Sequence, residues 1–190
     1  MYIALEGIDT CGKSTQIKSL KLHYKDAIFT KEPGGSKIGE KLREILLYDC
    51  ESLSKEAEIL LFLADRAQHI KEIIKPNKEK LIISDRSLVS GIAYATDFDF
   101  EILQTLNLFA TSGVVPDYVV FLEISENELI TRLGKKEMDN IEKRGVEYLL
   151  SLQSRILDTI RLLGIPYCII NASDEVGAIT NEIISFIDSK

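Results

Sequence analysis

Gly7-Ile8-Asp9-Thr10-Cys11-Gly12-Lys13-Ser14 is the stretch whose reading decides the fold. It matches the pattern G-x-x-x-x-G-K-[ST]. Tyr2–Leu5 before it reads as a buried strand, and Lys13–Tyr24 after it reads as a helix, the context this pattern requires. The glycines let backbone N–H groups converge on phosphate oxygens, and the start of the helix adds partial positive charge. In such a loop Lys13 reaches the β- and γ-phosphates and the Ser14 hydroxyl holds Mg²⁺. The loop therefore calls for ATP or a close relative. Cys11 inside it reads as a small loop residue rather than a nucleophile.

Outward from the loop, short apolar runs alternate with longer amphipathic ones. Ala27–Thr30, Leu81–Ser84, Tyr118–Glu123 and Tyr167–Ile170 lack polar alternation, as strands covered on both faces do. Helical patterns cover Lys13–Tyr24, Ile38–Leu47, Ser54–Lys75, Leu88–Ala95, Phe100–Thr111, Glu126–Lys136, Ile141–Leu163 and Asp174–Asp188. Ser125 and Glu128 are spaced as a capping box, and Gly164 with Pro166 marks a helix stop. Strand–helix alternation predicts an α/β fold, a parallel sheet with helices on both faces. The 190 residues suit a single domain, 1–190, without repeats or linkers. The charged segment 133–144 reads either as a short lid or as a solvated helix junction.

Composition narrows the function. A net charge of −7 argues against free nucleic acid as a partner. No apolar run is long enough to span a membrane, and the start lacks a leader pattern. Cys11, Cys50 and Cys168 are widely spaced, which points away from zinc or disulfides and toward a reducing cytoplasmic setting. The guanine-reading string N-K-x-D of a regulatory GTPase is absent, and Asp85-Arg86 stands where such a protein has D-x-x-G. A small kinase fits better than a switch module.

The other candidate residues fall mostly at strand carboxyl ends, where open α/β sheets bind ligands. Lys31-Glu32-Pro33-Gly34-Gly35 follows the second strand, with Arg43 on the next helix, and Asp85-Arg86 follows the third. Phe62 and Arg66 share one helix face, an arrangement that suits a base stacked on a ring beside a clamped phosphate. Spacing leaves other readings open: Phe62 as core, Asp65-Arg66 as a solvated face, and Asp85-Arg86 as a structural ion pair.

Together these strings resemble the thymidylate kinase family over nearly the whole chain. The resemblance rests on the loop through Thr15-Gln16, Glu32-Pro33-Gly34-Gly35 with Gly39–Arg43, Phe62–Ala67, Asp85-Arg86 with Ser90–Tyr94, Pro116-Asp117 and Asn171-Ala172-Ser173. It implies the three-layer fold of P-loop nucleoside monophosphate kinases, with five parallel strands in the order 2-3-1-4-5 and a lid. It implies transfer of the ATP γ-phosphate to dTMP with Mg²⁺, and a homodimer. The apolar stretches Ile59–Leu63 and Leu103–Phe109 suit that dimer, although core burial explains them equally well. ATP would be held by Gly7, Ile8, Asp9, Thr10, Cys11, Gly12, Lys13, Ser14, Thr15 and Arg132. Asp9 would also take the 3′-hydroxyl of dTMP, and Phe62 would stack on thymine with Arg66 near a base carbonyl. Arg43 and Arg86 would clamp the acceptor phosphate, Glu32 would line the sugar and phosphate, and Gly91 and Tyr94 would line the nucleoside. Ser14 and Asp85 would serve the metal, and Lys13, Arg86 and Asp9 the chemistry.

The sequence departs from the family pattern in four places. Ser87 replaces an aromatic residue, and Gly91 and Ala95 replace polar residues that touch thymine in some bacterial members. Asn140 replaces an arginine in the lid. One branch of the family supplies a catalytic arginine from the phosphate loop, where this chain has Thr10. The missing positive charge is therefore expected from Lys135 or Lys136, with Arg132 as a further candidate. The alternatives are a kinase for another nucleoside monophosphate and a P-loop switch module with slow hydrolysis.

Overall fold

The computed structural model describes residues 1–48, 53–134 and 145–190. Five strands, β1 (Tyr2–Glu6), β2 (Ile28–Lys31), β3 (Ile82–Asp85), β4 (Tyr118–Glu123) and β5 (Tyr167–Asn171), pair in parallel in the order β2-β3-β1-β4-β5. The expected strand order is the observed one. Helices α1 (Lys13–His23), α2 (Lys37–Tyr48), α3 (Lys55–His69), α4 (Leu88–Tyr94), α5 (Phe100–Thr111), α6 (Glu126–Leu133), α7 (Val146–Leu162) and α8 (Val176–Asp188) pack around the sheet.

Periodicity explains the packing. In α8, Ile179, Ile183 and Ile187 form one buried stripe, and in α7, Leu149, Leu152, Ile156 and Ile160 do the same. Both stripes join the central cluster around Ile3, Leu5, Val120 and Phe121. Register then sets the site. Leu5 and Lys31 both pair with Asp85, so the carboxyl ends of β1, β2 and β3 finish level on one edge.

The long helix expected over Ser54–Lys75 ends early. Past His69 the chain widens into a π turn, Ile70–Ile74, with the Lys75 N–H donating to the Ile70 carbonyl, and then tightens into a 3₁₀ turn, Lys75–Asn77. Pro76 forbids further α-helix, and the wide turn drives Ile70 and Ile74 against Tyr2 and Ile82. The capping box is only half formed. Ser125 accepts from the Glu128 N–H, but the Glu128 carboxylate turns to Arg132, and the Ser173 hydroxyl meets the Ser125 N–H. Helix α7 stops at Leu163 with Gly164 at φ 65°, as the Gly–Pro signal predicts. Of the segment expected to form a lid, only Leu133 and Gly134 lie among the described residues.

Candidate active site

The loop between β1 and α1 turns on Gly12, which caps the helix at φ 103°. Its amides wrap around the start of α1, and Thr15 and Gln16 N–H groups close onto the Gly12 carbonyl. Lys13 is buried, and its ammonium donates to the carbonyls of Gly7 and Ile8, both at 2.8 Å. Ser14 and Thr15 face solvent at the helix start. Backbone N–H groups, an ammonium and a hydroxyl thus lie together at the start of α1, where an anion gains most from the helix terminus.

Across the sheet edge, Arg86 follows β3 in a left-handed conformation, φ 74°, uncommon for a residue with a long side chain. Its Nη2 donates to Asp9 of the loop at 2.6 Å, and its Nη1 donates to the Gly7 carbonyl at 3.2 Å and the Ser90 hydroxyl at 2.9 Å. The guanidinium lies 4.9 Å from the centre of the Tyr94 ring, whose hydroxyl donates to the other Asp9 oxygen. Burial works against ionisation of Asp9, but the charges of Arg86 and Lys13 and the two hydrogen bonds prevail and hold it below the ordinary range. The ion pair formed is therefore Arg86–Asp9. Among the described residues no Asp85–Arg86 bridge forms, and the half-buried Asp85 carboxylate makes no hydrogen bond.

Arg66 is 3% exposed, which removes the reading of Asp65-Arg66 as a solvated face. Its Nε donates to Glu32 at 2.8 Å, Nη1 to the Asn107 side-chain oxygen, and Nη2 to the Ser87 carbonyl at 3.3 Å. The second Glu32 oxygen meets His69 at 2.7 Å, and His69 reaches the Thr30 hydroxyl at 2.7 Å. Glu32, expected along the acceptor sugar and phosphate, is buried with both oxygens on protein groups. Burial opposes its ionisation, but Arg66 and His69 outweigh it and keep Glu32 below the usual carboxylate range. Gly91 faces the flat side of this arrangement: a Cβ there would stand 2.6 Å from Arg66 Nη2. The space beside Gly91 is thus filled by the guanidinium itself.

Phe62 is half-buried, and among the described residues it belongs to none of the apolar clusters that form the core. Arg43 is half-buried and donates to the Pro33 carbonyl at 2.9 Å, beside the cis Glu32–Pro33 peptide. Asp65 accepts from the Gly34 N–H at 2.9 Å and so ties α3 to that loop.

Sequence reasoning missed Glu6, His69, Ser90 and Asn107 as parts of this network. Asn107 offered a signal, an amide set directly between Leu106 and Leu108. Glu6 offered another, a carboxylate ending a strand that is otherwise wholly apolar and buried.

On the loop's far side Arg132 donates to Glu128 at 2.7 Å, to the Thr10 carbonyl at 3.2 Å and to the Ala172 carbonyl at 2.7 Å. With Gly12, Thr15, Gln16, Asp174, Val176 and Ile179 it lines a cavity of about 330 Å³, polar on the loop side, with Val176 and Ile179 supplying an apolar wall from α8. A larger concavity of about 490 Å³ lies by the β5 edge. Glu123, Asp174 and Glu182 line it, a setting hostile to a polyphosphate. Lys135 and Lys136 lie outside the described residues, as does Cys50. Among the described residues no helix is long and apolar enough to cross a membrane.

A family model described as thymidylate kinase matches residues 5–183. The thymidylate kinase of Wolinella succinogenes is 57% identical over 185 residues, covering 97% of both chains. Those of Sulfurimonas denitrificans and Aliarcobacter butzleri are 51% and 50% identical, over 99% and 100% of this chain and 100% of their own lengths.

Proposed function

The chain belongs to the thymidylate kinase family, and we propose how its own residues divide that family's work. It is an ATP-dependent nucleoside monophosphate kinase that phosphorylates dTMP to dTDP and releases ADP, a step of nucleotide biosynthesis. ATP lies with its phosphates on the amides of 7–15 and its base in the cavity beneath Arg132, against Val176 and Ile179. Lys13 leaves the carbonyls of Gly7 and Ile8 for the β- and γ-phosphates. The acceptor phosphate sits on Arg86 and Arg43, thymine stacks on Phe62 with a carbonyl toward Arg66, and Tyr94 packs under the sugar. Asp9 takes the 3′-hydroxyl. Glu32 acts from behind, holding Arg66.

An oxygen of the acceptor phosphate bonds to the γ-phosphorus as the bond from that phosphorus to the bridging oxygen of ADP breaks. The nucleophile is already ionised, so alignment and charge neutralisation carry the rate. Mg²⁺ fits the hard oxygen donors at hand, the exposed Ser14 hydroxyl and the half-buried Asp85 carboxylate, and when bound it would neutralise phosphate charge. Lys135 or Lys136 supplies the remaining cation over the γ-phosphate. If Lys135→Ala and Lys136→Ala, singly and together, leave kcat unchanged, that assignment is wrong.

The observation that carries the reading is the Asp9–Arg86 pair, which joins the donor loop to the acceptor's cation in one cleft. ADP release measured with dTMP, dUMP, dGMP or no acceptor tests it. Preference for dTMP is expected, with some turnover of dUMP, because one methyl discriminates by only about 1–3 kcal/mol. Acceptor-independent turnover would instead mark a nucleotide switch. The assembly is a cytoplasmic homodimer, each copy one kinase domain. Leu60, Ile102 and Phe109, exposed by 60%, 56% and 84% on the adjoining α3 and α5, supply its apolar face. Phe109→Glu should yield monomers in sedimentation; an unchanged mass would remove this face from the contact.

A further inference from the structure

We infer that Glu6, acting through Ser90 and braced by Ser87, is a positioning residue that aims Arg86 at the acceptor phosphate. The inference rests on the reading of Arg86 given above and deepens it. Glu6 ends β1 immediately before the phosphate loop and is fully buried. A carboxylate in such a place is retained only at a heavy desolvation cost unless its oxygens are satisfied. Two hydroxyls satisfy them: Ser87 donates to Oε1 at 2.7 Å and Ser90 to Oε2 at 2.5 Å. Among the described residues, Glu6 has no ion pair of its own.

The polarity of the chain is fixed. Arg86 Nη1 can only donate, so the Ser90 oxygen accepts from it, and the single Ser90 proton goes to Glu6. Cation, hydroxyl and carboxylate thus form one directed line, in which each bond polarises the next. The guanidinium has two unlike sides. Toward solvent it meets Asp9, whose side chain is 31% exposed; inward it meets Ser90 and, through it, Glu6. A phosphate can arrive only on the wet side. The dry side keeps its bonds throughout and holds the Arg86 plane while partners on the other side change. Ser87 adds the brace. Its hydroxyl also accepts from the Val89 N–H at the start of α4, and its carbonyl accepts from Arg66, so one residue ties Glu6 to the helix that carries Ser90 and to the second arginine.

The test compares dTMP with thymidine, which lacks the phosphate, as ligands of Glu6→Gln, Ser90→Ala and Arg86→Ala. For Glu6→Gln and Ser90→Ala, dTMP should bind about tenfold more weakly, while thymidine and ATP stay within about twofold of wild type. Glu6→Gln keeps the side chain's shape; Ser90→Ala breaks the line without touching the buried carboxylate. A merely structural Glu6 would weaken dTMP, thymidine and ATP alike, and that result overturns the inference. If Arg86→Ala separates dTMP from thymidine but the other two variants do not, the Glu6 inference falls and the Arg86 reading stands. If Arg86→Ala fails to separate them, both fall.

Discussion

Replacing Gly91 with alanine places a methyl carbon 2.6 Å from Nη2, 2.7 Å from Nη1 and 3.0 Å from the central carbon of the Arg66 guanidinium. In an ordinary helix interior this change stabilises by about 0.5–1 kcal/mol, because it removes freedom from the unfolded chain. Here the sign should reverse. The guanidinium must retreat by about 1 Å to reach ordinary contact in a close-packed interior. It is held by Glu32, Asn107 and the Ser87 carbonyl, so retreat sacrifices at least one of those bonds. A hydrogen bond to a buried charged group is worth about 1.5–3 kcal/mol. Net of the helix gain, Gly91→Ala should destabilise by about 1–2 kcal/mol, a fall in Tm of about 2–8 °C for a chain of this size. Thermal unfolding of the ligand-free protein measures it, and the KM for dTMP should rise as Arg66 is displaced. The decisive comparison is Gly91→Ala made together with Arg66→Met, against Arg66→Met alone. With the guanidinium gone the methyl has room, and the alanine should be neutral or stabilising. A variant that melts at or above wild type, or one that loses as much in the Arg66→Met background, refutes the reasoning.

Three further outcomes are expected. Lys13→Met should lower kcat by about 10²–10³-fold, since a preorganised donor to developing charge is lost; a change under tenfold would remove Lys13 from the chemistry. Arg132→Ala should raise the KM for ATP by about tenfold and leave that for dTMP unchanged, because Arg132 spans the Thr10 and Ala172 carbonyls on the donor side alone. Glu32, held below its ordinary value of 4.5, contributes stability that is complete above that value and drains away as pH falls through the lower folded one. Urea unfolding between about pH 3 and 6 should therefore show a shallower acid slope for Glu32→Gln than for wild type.

The parallel sheet and the phosphate loop were legible because they depend on local pattern, and the strand order followed only from the family resemblance. A strand, a glycine-rich turn and a helix follow one another in the chain. Phe62 and Arg66 were legible as one helix face. What hid were the partners. Arg66 is held by Glu32, 34 positions away, and by Asn107, 41 away; Ser90 meets Glu6 across 84. No periodicity encodes such pairs, because they arise only when the crossovers fold back onto the sheet. Likewise the absence of a side chain at Gly91 looked like a lost contact with the base. In three dimensions it is the space in which an arginine lies flat.

The Asp9–Arg86 ion pair has a consequence for how the acceptor is captured. Before any nucleotide arrives, the seat for its phosphate already holds an anion, the loop's own carboxylate at 2.6 Å. Entry of dTMP is then an exchange of one counter-charge for another rather than the neutralisation of a bare cation. Asp9 stays in the cleft and already offsets the field of Arg86, so ionic strength should move dTMP affinity less than two clamping arginines suggest. It also makes inorganic phosphate a poor competitor, since a free anion must evict Asp9 with no sugar hydroxyl to offer it in return.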